Sequence, residues 1–191
     1  MRRILGFVVL AFLAQACGPS AGESTAADND KGKGVVVDLD GLKSQAPADW
    51  KEEEPSNRMR YLQFRLPKKG DDKDNAELIV FKGLGGDARA NVKRWKDQFV
   101  PPEGKSIDEV AKVEEIKIGG HPATYLEVQG TYLFKSAPFD PNAKAEKKPN
   151  YSMLAIHFEG PKDVYHIKLT GPAKTVEAYK KGFDDWLKNF K

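Results

Sequence analysis

Two apolar runs near the C-terminus constrain the fold of this chain more than any other feature. The segments "YSMLAIHFEG" (151–160) and "DVYHIKLTG" (163–171) are short apolar runs, and only a short polar turn separates them. Short apolar runs bounded by turn residues are typical of strands, and so short a connection joins antiparallel neighbours. We therefore expect a sheet built around this hairpin, with His157 facing His166 across it.

The rest of the chain supplies further strands. They are expected in the runs "GVVVDLDGL", "MRYLQFRLP", "AELIVFK", "AKVEEIKIGG" and "HPATYLEVQGTYLF". In the second run the alternation sets Leu62, Phe64 and Leu66 on one face and Tyr61, Gln63 and Arg65 on the other. Pro67 ends that strand, and the polar segment "KKGDDKDN" leads into the next one as a hairpin loop.

Two helices are predicted as well. Asp87 can cap a helix that presents Val92, Trp95 and Phe99 on one side. A stronger signal follows Gly171-Pro172, where apolar residues with helical spacing form a single stripe: Val176, Tyr179, Phe183, Trp186, Leu187 and Phe190. A stripe of this kind packs a helix on a sheet.

The predicted order of elements is several strands, a helix, four strands and a closing helix. Most of the neighbouring strands are joined as hairpins. The predicted fold class is therefore α+β, a mostly antiparallel β-sheet flanked by helices in an α/β/α sandwich. Residues 35–191 are expected to form a single α+β globular domain, because they are numerous enough to bury one core.

The N-terminus predicts export and lipid attachment. Arg2 and Arg3 precede the apolar run Ile4–Leu13, and small residues then lead into Cys17, the only cysteine of the chain. This order describes a secretory signal, and the apolar run is shorter than a membrane-spanning helix, which needs about 20 residues. Because the stretch resembles a bacterial lipobox, residues 1–16 are predicted to be a lipoprotein signal peptide and Cys17 the lipidated residue. The alternative is a plain secreted protein in which the cysteine is incidental.

Residues 17–34 are predicted to be the lipidated cysteine and a flexible tether. The tract "GPSAGESTAADNDKGKG" has no large apolar residue and cannot bury enough surface to offset its ordering entropy. Gly18 stands where an aspartate tends to retain lipoproteins at the inner membrane, so the outer membrane is expected in a cell with two membranes. Two of the 31 basic residues lie in the signal, and the others exceed the 28 acidic residues by one. The rest of the chain is therefore nearly neutral, and its charge does not indicate nucleic-acid binding.

Several segments resemble a family of uncharacterised bacterial exported lipoproteins. They are "APADWKEEEPSNRMRYLQFRLP", "NVKRWKDQF", "TYLEVQGTY", "YSMLAIHF" and "IKLTGPAKTV". Their general plan is similar to the PsbP and DcrB proteins, and this resemblance implies an α/β/α sandwich around an antiparallel sheet. It implies no catalytic residue for this chain, since a fold does not imply a function.

Two motifs that could carry chemistry are interpreted as structure. Gly83-x-Gly85-x-x-Ala88 lies between a strand and a helix, as a dinucleotide fingerprint does, but the proline-rich "FVPPEGKSIDEV" follows in place of a parallel strand. The acidic loop 71–77 could offer oxygen ligands to calcium, but it lacks the residue order of an EF-hand. The predicted role of the glycine motif is a turn with a helix cap. The predicted role of the acidic loop is a solvated hairpin tip.

The histidine pair is the nearest approach to a metal site. His157 and His166 could hold a metal ion with a third ligand. Lys168 is expected opposite Ala155 on the same face, where its charge opposes a second cation, and Glu159 reaches the pair only if its side chain folds back. We therefore predict no metal at the pair and no cofactor in the protein.

Two functions remain open. The common nucleophile and zinc-protease motifs are missing from the sequence and Cys17 is consumed by lipid, so no catalytic residue and no enzyme are predicted. The first hypothesis is a membrane-tethered, non-enzymatic binding or accessory module that contacts an envelope protein or polymer. Its candidate contact is Phe139, in the long predicted loop Lys135–Asn150. The alternative is a small-ligand or metal-binding carrier that uses the sheet face around His157 and His166.

Overall fold

A computed structural model describes residues 34–136 and 142–191. Its strands are β1 (Val36–Leu39), β2 (Leu42–Gln45), β3 (Lys51–Glu53), β4 (Arg60–Leu66), β5 (Ala76–Lys82), β6 (Phe99–Val100), β7 (Ala111–Ile118), β8 (His121–Phe134), β9 (Glu146–Glu159) and β10 (Val164–Pro172). Its helices are α1 (Ala88–Lys96) and α2 (Ala173–Lys188), and a 3₁₀ turn spans Ile107–Glu109. Cys17, the tether and Phe139 lie outside the described residues, so the statements about them remain predictions.

The main sheet is antiparallel and has the order β3-β4-β5-β10-β9-β8-β6, with β7 also paired to β8. The predicted hairpin of β9 and β10 lies near its centre, with His157 opposite His166 and Ala155 opposite Lys168. β8 continues the same antiparallel pattern along most of β9. The predicted α+β fold class, with a mostly antiparallel sheet, is confirmed.

Helix α2 covers one face of the sheet and builds the main core. Its apolar stripe is buried as the helical spacing predicts, and Phe183 and Trp186 are among the largest fully buried side chains. They belong to one cluster with Leu154, Ile156 and Phe158, which are alternate residues of β9 and therefore share a sheet face. This side of the sheet is a closed apolar layer.

Helix α1 lies on the opposite face over a smaller cluster. Asp87 caps the helix as predicted, because its carboxylate accepts a hydrogen bond of 2.7 Å from the Ala90 N–H. The helix buries Val92 and Trp95 on β8 and β9. Phe99 is buried in the same cluster, but it lies in β6, after the helix has ended. Of the helices that the structure describes, none is long and apolar enough to cross a membrane.

The opening β-branched run, predicted as one strand, is divided. β1 and β2 form a separate two-stranded hairpin around Asp40 and Gly41. Both turn residues have a positive φ, 56° and 102°, which is the conformation that an Asp-Gly hairpin turn requires. Lys82 of β5 pairs with Asp40 at 2.6 Å and ties the small hairpin to the main sheet.

One face assignment in β4 is wrong because the strand contains an irregularity. The pairing register with β5 shifts between Arg60 and Leu62. Arg60 then lies on the α1 side, where it donates a hydrogen bond of 2.8 Å to Gln63. Tyr61, expected beside Gln63, contacts the ring of Tyr165 in the main core, with 6.1 Å between the ring centroids. A bulge inserts one residue and breaks the period of two on which the prediction depended.

The predicted loop between β8 and β9 is shorter than expected. β9 begins at Glu146, so part of the predicted loop Lys135–Asn150 is strand, and Lys148 lies opposite Tyr132. Backbone pairing, rather than burial of alternate side chains, holds this part of the hairpin. A polarity pattern therefore does not reveal it.

Candidate binding surface

His157 and His166 lie side by side on the α1 side of the sheet. Nδ1 of His157 is 3.1 Å from Nε2 of His166, so the two rings share a hydrogen bond. Both side chains are buried, and the indole of Trp95 stands edge-on to the His166 ring at 5.5 Å. Nδ1 of His166 is buried with no hydrogen-bond partner among residues 34–136 and 142–191.

Burial keeps the imidazole of His166 neutral at neutral pH. The pKa of His166 is lowered from 6.5 to about 4, chiefly by loss of hydration. The positive charges of His157, Arg94 and Lys168 supply the smaller part of this shift. The ring is enclosed beneath Trp95 rather than open to solvent. A neutral, enclosed imidazole of this kind acts as a hydrogen-bonding group of the core.

The pair lacks the further ligands that a metal ion needs. Zinc usually takes four protein ligands in structural sites and three in catalytic sites. The carboxylate of Glu159 is 3.7 Å from Nε2 of His157, and its side chain is largely exposed. In the described ranges no group of three or more His, Cys, Asp or Glu side chains is placed to hold a metal ion.

Zinc is expected to bind this pair only weakly. Two imidazoles that hydrogen-bond to each other, with the cation Lys168 beside them, should show a Kd no tighter than about 1 μM, equivalent to about −8 kcal/mol. Calorimetric titration of the metal-free protein checks this expectation. A nanomolar site that disappears in His157→Ala would contradict it and would favour the carrier hypothesis.

The two faces of the sheet are covered to different extents. On the α2 side, Leu78 and Val80 of β5 and Leu169 of β10 are each 0% exposed. On the α1 side most residues of the same strands are half-buried, because α1 packs mainly on β8 and β9. We call this area the uncovered patch. It consists of the half-buried residues Arg60, Glu77, Ile79, Phe81, Lys168 and Thr170 and of Gln63, whose side chain is buried among them.

Lys168 lies at the centre of the uncovered patch. It is opposite Ile79 of β5 on one side and Ala155 of β9 on the other, so both its strand neighbours are apolar. Its ammonium group donates one hydrogen bond of 3.2 Å, to the side-chain oxygen of Gln98, which follows α1. The lysine therefore lies at the junction between the patch and the helix.

Charges from three elements act on this lysine. The pKa of Lys168 is lowered from 10.5 to about 8, chiefly because the ammonium group is buried. Repulsion from Arg94 of α1 and Arg60 of β4 is part of this shift, and attraction to Glu77 of β5 opposes it. Arg60 is paired with Glu77 at 2.6 Å. Arg94 donates a hydrogen bond to the side chain of Asn91 in its own helix.

The acidic loop 71–77 contributes to the fold. Asp72 accepts hydrogen bonds from the Thr175 N–H at 2.8 Å and the Thr175 hydroxyl at 2.6 Å, and it thereby caps α2. Asp74 accepts a hydrogen bond of 2.6 Å from the hydroxyl of Tyr151. The prediction of a solvated hairpin tip therefore misses a cap formed between residues far apart in the sequence.

The glycine-rich motif forms a turn that leads into α1. Gly83 and Gly86 have positive φ values of 72° and 95°, and Asp87 caps the helix. The strand that follows the helix, β6, pairs antiparallel with β8. A dinucleotide fold needs a parallel strand at this place, so the motif has a structural role here.

Aromatic rings collect at the outer end of the β8–β9 hairpin, beyond the bulge at residues 130–132. Tyr132 stacks on Tyr151 with 6.1 Å between centroids and 11° between planes. Lys148 lies over the ring of Phe134, 5.6 Å from its centroid, and Phe134 is 38% exposed. We call these four residues the hairpin end. Phe139, the predicted contact residue, follows Phe134 in the sequence and lies outside the described residues.

Two surface concavities of the described residues are open and lined mainly by charged and polar residues. One, of about 400 Å³, is lined by charged side chains of α2, and the other, of about 370 Å³, lies between β2 and the C-terminal residues. Neither includes a residue of the histidine pair or the uncovered patch. Small-ligand sites are typically apolar pockets with a few convergent polar groups, so these concavities give the carrier hypothesis no support.

Comparisons with known proteins show what the chain resembles. No family model and no curated protein matches the sequence. A solved structure of a Pseudomonas aeruginosa protein of unknown function, PA94, is similar at 14% identity and a TM-score of 0.44, over 81% of this chain and 92% of that chain. Cyanobacterial PsbP (CyanoP) from Synechocystis sp. PCC 6803 is similar at 14% identity and a TM-score of 0.45, over 79% and 86%. The second of these is a PsbP protein, and the general plan of the PsbP proteins is the one that the sequence resembles. Neither likeness carries information about function.

Proposed function

We propose that this protein is a membrane-tethered lipoprotein of the bacterial cell envelope that acts as a non-enzymatic binding or accessory module. The observation that carries the proposal is the order of basic residues, apolar run, small residues and Cys17, followed by a polar tract. The first strand begins at Val36, directly after that tract, which supports a folded domain on a tether. Attachment of two or more acyl chains gives stable anchoring, since each buried CH₂ contributes about 0.8 kcal/mol.

The outer membrane is the proposed location in a cell that has two membranes. Gly18, rather than an aspartate, follows Cys17, and this supports release from the inner membrane. The partner we propose is an envelope protein or polymer.

Two surfaces support a binding role for the domain. The uncovered patch presents half-buried charged groups on an open sheet face. The hairpin end presents the exposed ring of Phe134 beside Lys148, and the chain continues from there toward Phe139. The alternative proposal, a carrier of a small ligand or metal, rests on the facing pair His157 and His166, and the zinc titration tests its metal-binding form.

Cys17→Ala is expected to move the protein from the membrane fraction to the soluble fraction. The change removes the sulfur that would carry the lipid and leaves the described domain untouched. Fractionation of cells, with a high-salt wash of the membranes, measures the outcome. Gly18→Asp is the matched control, because it keeps the cysteine and should keep the protein on a membrane. Membrane association of Cys17→Ala after the wash would rule out the lipid anchor.

The binding part of the proposal is tested by crosslinking in the native envelope. A photoreactive amino acid at Phe134 should capture an envelope component, because that side chain is exposed at the hairpin end. The same group at Lys181, on the exposed side of α2, is the matched control. Equal capture from both positions would argue against a specific contact at the hairpin end.

A further inference from the structure

The central lysine of the uncovered patch is a cation without a counterion. Its ammonium has three N–H donors, of which one is bonded to Gln98. In the described part of the chain no carboxylate forms an ion pair with Lys168, and no further acceptor binds its other N–H groups. A charge removed from water is stable only when it is paired or hydrogen-bonded. Lys168 therefore carries unused capacity to bind an anion.

Two arginines contribute positive charge around this lysine. Arg94 of α1 binds Asn91 and has no carboxylate partner within residues 34–136 and 142–191. Arg60 of β4 lies on the other side, paired with Glu77 at 2.6 Å. Three cationic groups, Lys168 and the two arginines, are therefore balanced by one carboxylate, that of Glu77. The excess of two positive charges would be neutralised by an anion that carries two negative charges.

We propose that the uncovered patch binds a phosphate-like oxyanion, held by Lys168 and Arg94 with Arg60 beside them. Guanidinium and ammonium groups are the usual protein partners of phosphate, and the fork of an arginine matches its oxygen geometry. The anion supplies acceptors to the free N–H groups of Lys168. Its source is either a free ion or the headgroup of a lipid. The proposal is independent of the lipid anchor at Cys17.

Calorimetric titration with inorganic phosphate tests the site, on the full chain carrying Cys17→Ala so that an acyl chain makes no contribution. We expect saturable binding that Lys168→Gln and Arg94→Gln each weaken about tenfold or more, as for the loss of a hydrogen bond to a charged group. Lys93→Gln removes the same charge from the exposed side of α1, where Lys93 pairs with Asp97, and should leave the affinity unchanged. An equal loss in all three variants would overturn the proposal.

Vesicles distinguish the two sources of the anion. Binding to phosphatidylglycerol vesicles but not to phosphatidylcholine vesicles, lost in Lys168→Gln and kept in Lys93→Gln, assigns the site to a lipid headgroup. Saturable phosphate binding without this vesicle binding assigns it to a free ion. If neither inorganic phosphate nor the anionic vesicles bind, the proposal is wrong.

The stability of the unliganded protein gives a second readout. Lys168→Gln relieves an unpaired cation, so it should raise the midpoint of thermal unfolding in phosphate-free buffer. Phosphate should raise the unfolding midpoint of the parent chain, because a ligand that binds the folded state stabilises that state. Lys168→Gln should abolish this rise. A lower midpoint together with an unchanged response to phosphate would contradict the site.

Discussion

Trp186→Ala is expected to lower the free energy of unfolding by about 3–5 kcal/mol. The indole is 1% exposed in the main core. Its ring lies 5.1 Å from that of Phe190 and 5.4 Å from that of Trp50, so truncation removes contacts among α2, the chain end and the segment before β3. Such a loss is a large share of the total stability of a typical domain, which is about 5–15 kcal/mol.

Two further variants separate core packing from other effects of the change. Trp186→Phe keeps an aromatic ring and removes an indole N–H that has no hydrogen-bond partner among the described residues, so it should cost clearly less than the alanine change. Glu177→Ala, on the exposed side of α2, should change stability by less than about 0.5 kcal/mol. Urea unfolding of the full chain, followed by circular dichroism, measures all three. A loss under about 1 kcal/mol for Trp186→Ala would place α2 outside the core.

Elements whose pattern repeats and whose burial is one-sided could be predicted from the sequence. In α2 the apolar stripe recurs over the whole helix, and only packing on the sheet buries it. The β9–β10 hairpin could be predicted for a different reason, because two apolar runs bounded by turn residues are joined by a short connection that sets their register. The positions of His157 and His166 opposite each other, and of Lys168 opposite Ala155, follow from that register.

The features that make the candidate site could not be predicted in this way. Arg60 reaches the α1 side only because a bulge interrupts β4. The alternating polarity of a strand sequence does not show where a bulge lies. The charge of Arg94 acts on Lys168 only because of how α1 packs on the sheet, and the two residues are far apart in the sequence. The cap that Asp72 gives to α2 is equally non-local. Polar contacts of this kind arise from tertiary packing and have no repeating sequence pattern.

Acid is expected to weaken the fold through His166. Burial, the adjacent His157 and the cations Arg94 and Lys168 hold the pKa of His166 at about 4 in the folded chain, whereas an unperturbed histidine has 6.5. As the pH falls from 6.5 to 4, the unfolded chain gains a proton that the folded chain does not bind, so the free energy of unfolding decreases across this window. Above pH 6.5 the contribution is fully present. A pKa difference of this size corresponds to about 3 kcal/mol.

The matched variant for this prediction is His166→Phe, because phenylalanine has a ring of similar size to pack against Trp95 and no proton to gain. Carboxylates also titrate in this range, so the measurement is the difference between two curves of unfolding free energy against pH. From pH 6.5 to 4 the parent should lose about 3 kcal/mol more than His166→Phe. If the curves of the parent and His166→Phe were parallel, the folded chain would bind the proton as readily as the unfolded chain, and the imidazole could not be enclosed beneath α1.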